Sequence, residues 1–96
     1  MLTKEEIIQA VTDADIFKSK LFTHVWLVGS FARDEATEKS DIDFLIDYDI
    51  SEIENNPLTD WARALDFIEN TFHCRAQFIP SEAYVGFRNS RAISIK

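Results

Sequence analysis

Apolar and polar positions along the chain repeat with two different periods, and the places where the period changes mark the elements. Ile7, Ile8 and Val11 recur at helical spacing behind Thr3 and Glu6. Thr3 and Glu6 have the capping-box separation, and Leu2 and Ile7 the separation of a hydrophobic staple, so a helix is expected from about Lys4 through Ala14. Leu58, Trp61, Ala62, Leu65, Ile68 and Phe72 form a second helical stripe, preceded by Asn56 as a good N-cap and Pro57 as a good first helical residue. This is the best-defined helix in the chain.

Between the two stripes the pattern changes. Val25-Trp26-Leu27-Val28 is a short β-branched and aromatic run closed by Gly29, which reads as a buried strand ending in a turn. From about Asp41 to Ile46 the period is two. Ile42, Phe44, Ile46 and Tyr48 share the face that packs on a core, whereas Asp41, Asp43, Leu45 and Asp47 share the other. Arg75 through Ile79 reads as a third strand stopped by Pro80, with Ser81 capping a short helix over Glu82 to Phe87, and Ala92 to Ile95 as a last short strand. Ser51 to Asn56 reads as a polar loop. Trp26 and Trp61 are assigned to core packing.

Composition places these elements in a single small domain spanning 1–96. Ninety-six residues with 46% apolar content can bury about two-thirds of the unfolded chain's surface. One cysteine, Cys74, excludes an internal disulfide, and with His73 and His24 it makes a poor zinc set, so these three residues are given structural or surface roles. The N-terminal segment carries Lys4, Glu5 and Glu6 where a leader would need an apolar stretch, and no apolar run approaches a membrane span. A cytoplasmic location without membrane association is the expectation.

Charge is unevenly spread. Residues 1–70 hold six basic and sixteen acidic side chains, and residues 71–96 hold four basic and one acidic, for a net charge of −7. An acidic body argues against direct nucleic-acid binding, whose affinity comes mostly from Lys and Arg, and favours a basic protein partner. The C-terminal group Arg75, Arg88, Arg91 and Lys96 is read as solvated surface.

The candidate chemistry lies in one spacing: Gly29-Ser30, ten residues, then Asp41-Ile42-Asp43. A small-residue turn lets backbone N–H groups approach a phosphate, and Gly29 has no Cβ to hold a ligand away. Ser30 is expected to cap a helical segment from Phe31 to about Thr37. Two carboxylates on alternate strand positions have Cα atoms roughly 6.5 to 7 Å apart, close enough to converge on one divalent cation or a pair. Without a metal they repel one another, which raises a carboxylate's pKa.

Gly29-Ser30-Phe31-Ala32-Arg33 followed by Ser40-Asp41-Ile42-Asp43-Phe44-Leu45-Ile46 resembles the signature of the polymerase-beta-type nucleotidyltransferase superfamily. Short length narrows the resemblance to the minimal nucleotidyltransferase family, antitoxins found beside HEPN-domain toxin ribonucleases in prokaryotes. The resemblance implies an α/β (α+β) nucleotidyltransferase-like fold, a short mixed twisted sheet with helices mainly on one face. It implies that Gly29 and Ser30 contact the triphosphate of ATP or another nucleotide, and that Asp41 and Asp43 bind Mg2+ and carry catalysis. Arg33 is assigned either to a phosphate or to a loop-fixing carboxylate pair. It also implies transfer of AMP or another NMP to a hydroxyl of a HEPN-type toxin, a tyrosine, within a hetero-oligomer.

Two positions depart from the family pattern. Asp34 stands where members usually have Gly, which puts an extra negative charge near the phosphate site unless the side chain turns away. Gln77, in Ala76-Gln77-Phe78-Ile79, stands where catalysing members carry a third carboxylate, and an amide cannot act as a general base. Gln77 and Asp34 therefore support a second reading, a catalytically degenerate protein that neutralises its partner by binding alone.

Overall fold

The computed structural model describes residues 1–55, 59–83 and 91–96. Helix α1, Lys4–Asp13, opens with the expected capping box: Glu6 N–H donates to the Thr3 hydroxyl, and Thr3 N–H donates to the Glu6 carboxylate. Its Ile7 and Val11 are buried, while Ile8 only packs at the edge of the core. A 3₁₀ turn at Asp15–Lys18 then buries Phe17 and leads into strand β1, Phe22–Val28. β1 begins three residues earlier than the apolar run suggested, because Phe22 and Val25 share the core across a β-bulge.

β1 ends in helix α2, Gly29–Ala32, and strand β2 follows at Ile42–Tyr48. Helix α3, Ile50–Asn55, occupies the segment read from sequence as a polar loop. Its start is fixed by Asp49, whose carboxylate accepts from both the N–H and the hydroxyl of Ser51 and is thereby held below the usual carboxylate range. Helix α4 covers Thr59–Phe72 and buries Ala64 and Ile68. Ala62, expected on its buried stripe, is exposed. The cap expected at Asn56 and Pro57, and all but the first residues of the helix expected after Ser81, lie outside the described residues. Strand β3 is Ala76–Pro80, with a 3₁₀ turn at Ser81–Ala83 behind it, and strand β4 is Ile93–Ser94. Pro80 is tolerated within β3 because that strand is at the sheet's edge.

The sheet is mixed, in the order β3-β2-β1-β4. β2 and β4 run antiparallel to β1, and β3 runs parallel to β2. Among the described residues the helices cover one face, where Ile7, Val11, Ala64 and Ile68 close over Val25, Leu27, Ile42, Phe44 and Ile46. Phe17 lies at the centre of the aromatic cluster on that face, its ring centroid 5.5 Å from Phe22 and 6.0 Å from Phe78. The architecture is the small α+β arrangement expected, with a four-stranded mixed sheet.

The opposite face carries Trp26, Asp43, Leu45 and Gln77. Trp26 is not part of the main core: it is half-buried on this second face, with its ring stacked on His24 at 5.5 Å. The strand alternation explains the difference, since Val25 and Leu27 take the core side and leave Trp26 on the other. Val28 and Leu45 are nevertheless fully buried there.

Candidate nucleotide and metal site

Antiparallel pairing of β1 with β2 sets Val28 opposite Asp43, so the chain leaves β1 alongside the second carboxylate. Gly29 makes the exit with φ +75°, a conformation L side chains rarely adopt. A Cβ built at Gly29 would lie 2.6 Å from Asp43 Oδ2 and 3.3 Å from its Cβ. The carboxylate thus rests directly on the glycine, and the turn and the acidic strand meet in space.

The segment after Gly29 is shorter than its sequence suggested. Ser30 lies inside the first turn rather than capping it, because the break at Gly29 starts the helix two residues early; the capping position is Val28 and has no side-chain bond. The helix stops after one turn because Asp34 adopts φ +59°, a left-handed conformation in which Asp is among the better-tolerated non-glycine residues. The Asp34 carboxylate accepts from Lys4 Nζ at 2.8 Å, so the additional charge is turned onto the start of α1. Arg33 Nε donates to Glu35 Oε2 at 3.1 Å, the loop-fixing pair, while its positive charge still reaches Asp43.

Asp41 is held by backbone clamps on both sides. Within the preceding turn, Thr37 N–H donates to the Ser40 hydroxyl at 2.8 Å and Ser40 N–H to the Thr37 carbonyl at 3.1 Å. The Cys74 thiol donates to the Ser40 carbonyl at 3.1 Å, and Ile42 N–H donates to the Arg75 carbonyl at 2.8 Å. Nothing in residue spacing marks the step Cys74-Arg75 for this task; only the parallel register of β2 and β3 brings it beside Asp41.

Burial and the neighbouring Asp41 charge together raise the Asp43 pKa, with Arg33 opposing. The Asp41 charge also contributes, behind burial, to raising the Cys74 thiol. Asp41 therefore acts electrostatically in two directions, toward Asp43 on the turn and toward Cys74. The second direction opens into a cleft of about 440 Å³, lined by Phe31, Ser40, Asp41, Phe72, Cys74 and Arg75 among others.

The register of β2 with β3 pairs Asp43 with Gln77. Adjacent strands lie about 4.8 Å apart, so the amide stands beside the carboxylate, where the resemblance leads one to expect a third acid. Asp47 and Asp49 do not fill that role. Asp47 accepts from the Ser81 hydroxyl and faces His24 Nδ1 at 3.5 Å, and Asp49 is bonded to Ser51.

Among the described residues no group of three or more His, Cys, Asp or Glu side chains is gathered for a metal. Two hard oxygen donors still fit Mg2+, which usually keeps several waters and takes one or two carboxylates together with substrate phosphates. Asp41 and Asp43 would hold it, and its charge would oppose the burial and the Asp41 repulsion that together raise Asp43.

The family model described as Nucleotidyltransferase domain matches residues 13–84, a span containing the turn, both carboxylates and Gln77. The chain belongs to the nucleotidyltransferase domain family. No curated protein and no solved structure matches it. As a nucleotidyltransferase domain, it has a nucleotide as its substrate class and nucleotidyl transfer as its reaction class. No helix among the described residues of this nucleotidyltransferase domain is long and apolar enough to cross a membrane.

Proposed function

We propose that this nucleotidyltransferase domain transfers AMP, or another NMP, from a Mg2+-bound nucleotide to a hydroxyl on a partner protein, and that the partner is a HEPN-type toxin silenced by the modification. The observation that carries the reading is the contact of the Gly29 turn with the Asp43 carboxylate, with Asp41 clamped nearby. Donors for a phosphate and ligands for its cation are then side by side. Backbone N–H groups at Gly29 and Ser30 hold the triphosphate, and Asp41 and Asp43 hold the Mg2+ that neutralises it. Arg33 stays bound to Glu35 and contributes a distant positive charge. The single domain acts as one member of a hetero-oligomer in the cytoplasm, its acidic body facing a basic surface of the partner.

Gln77 supports a second reading. With an amide in register with Asp43, the site holds its nucleotide without activating an acceptor, and the protein neutralises its partner by contact. Incubation with labelled ATP, Mg2+ and a HEPN-type partner separates the two. Transfer by the wild type that is lost in Asp41→Asn supports the enzyme. Label appearing only with Gln77→Asp, together with neutralisation that survives Asp41→Asn, supports the contact mechanism.

A further inference from the structure

We infer that Glu69 is a positioning residue for the site: its carboxylate, in the last turn of α4, locks the start of β3 against β2 and thereby fixes the backbone from which Asp41 projects. The inference rests on the reading of Asp41 and Asp43 as Mg2+ ligands and deepens it.

Ala76 N–H has no place in the ladder between β2 and β3. Ala76 stands opposite Ile42, and Ile42 N–H donates to the Arg75 carbonyl at 2.8 Å. In a parallel ladder a residue bonds to the two neighbours of the residue it faces, so Ala76 N–H points to the outer side of β3, which is the sheet's edge among the described residues. Ala76 is buried, and a buried N–H without an acceptor is costly. Glu69 supplies the acceptor: Ala76 N–H donates to Glu69 Oε2 at 3.0 Å.

The same residue ties down the other end of the link. His73 N–H donates to the Glu69 carbonyl at 2.9 Å, where the chain leaves α4 through a left-handed turn. Residues 73–76 are thus anchored at both ends to Glu69. From this link the Cys74 thiol reaches the Ser40 carbonyl and the Arg75 carbonyl takes Ile42 N–H, the groups on either side of Asp41. Asp41 itself stands one residue ahead of β2, so these flanking bonds hold it where sheet pairing does not. Asp43 lies inside the strand and against Gly29, and it does not depend on them.

Helix formation alone gives no reason for an acid at this position. The last turn of α4 carries no basic residue, and a carboxylate there meets the negative end of the helix dipole. The bond to Ala76 offsets that disadvantage.

Mg2+ titration of the ¹⁵N-labelled full chain, read at the Asp41 and Asp43 amides, tests the role together with amide exchange at Ile42 and Ala76 in the metal-free protein. Glu69→Gln keeps an oxygen acceptor and should retain the wild-type midpoint and exchange rates. Glu69→Met keeps the length without an acceptor, and Glu69→Asp keeps the charge without the reach. Both should speed exchange at Ile42 and Ala76 and raise the Mg2+ midpoint about tenfold, the low end for groups that orient metal ligands; either variant suffices if the other fails to fold. Leu65→Ala weakens the packing of the same helix away from the link, and should lower the urea midpoint while leaving the Mg2+ midpoint unchanged. A wild-type Mg2+ midpoint in Glu69→Met overturns the proposal, as does an equal rise in Leu65→Ala. So does retention by Glu69→Asp with loss in Glu69→Gln, which assigns the effect to charge. No Mg2+ response at Asp41 or Asp43 in the wild type removes the metal reading itself, and the positioning role with it.

Discussion

Gly29 and Asp43 are packed so closely that any β-carbon at position 29 would overlap the carboxylate, at 2.6 Å from Oδ2. Two constraints therefore act on one residue: a left-handed backbone at φ +75° and the absence of space above it. The first is met by any glycine turn. The second ties this turn to the acidic strand and brings Gly29 and Asp43, fourteen residues apart in sequence, together in space.

Gly29→Ala should cost about 1 to 3 kcal/mol of stability, the usual range for a residue forced into a sparsely populated backbone region, read as a lower midpoint in urea unfolding. Part of that cost is the clash with Asp43. It should shrink in the Asp43→Ala background, with a coupling of about 0.5 to 3 kcal/mol expected of residues in direct contact. Additive effects would show that the carboxylate does not rest on the turn.

The raised pKa of Asp43 makes a signed statement about pH. A carboxyl that holds its proton more tightly folded than unfolded destabilises the native state once it ionises. This penalty is absent below the unfolded value of about 3.8 and grows as pH rises through the raised folded value. Asp43→Asn should accordingly stabilise the protein at neutral pH, and the advantage should fade as pH falls into the ordinary carboxylate range. Thermal unfolding of both proteins from pH 3 to 7 checks this. Added Mg2+ should narrow the difference at neutral pH by stabilising the wild type alone.

His73 ends α4 in a left-handed conformation at φ +53°, its N–H donating to the Glu69 carbonyl at 2.9 Å. Glycine is the usual residue for such a terminator. His73→Gly should stabilise the chain by about 1 kcal/mol, which for a domain of this size raises the thermal midpoint by about 4 to 8 °C. Asp34→Gly should gain less, because it relieves a similar backbone but gives up the ion pair with Lys4.

Where side-chain period and capping chemistry agreed, the sequence was a reliable guide. The capping box of α1 and the alternation of β2 follow from local rules and the structure has both, while of the stripe of α4 it buries Ile68, packs Trp61, Leu65 and Phe72 at the core's edge and leaves Ala62 exposed. The pairing of Gln77 with Asp43 follows from the parallel register of β2 and β3. What escaped were features set by a single residue's backbone or by tertiary register. Six-residue α3 has too few apolar positions to show a period, although Asp49 with Ser51 and Glu52 behind it is a capping signal. α2 starts at Gly29 because of a positive φ, which residue type permits but does not dictate. The chemistry of Trp26 suits a core, but strand alternation puts it on the other face, half-buried. The clamp on Asp41 by Cys74 and Arg75 had no local signature, since those residues meet Asp41 only through the parallel pairing of β2 with β3.

The central claim is that the Gly29 turn and the two carboxylates together hold one metal-bound nucleotide. Titration calorimetry with a non-hydrolysable ATP analogue, with and without Mg2+, on wild type, Asp41→Asn and Asp43→Asn measures this with no partner required. Binding that needs Mg2+ in the wild type and is lost in both variants is the expected result. Binding that proceeds equally without Mg2+, or that survives both substitutions, would contradict it.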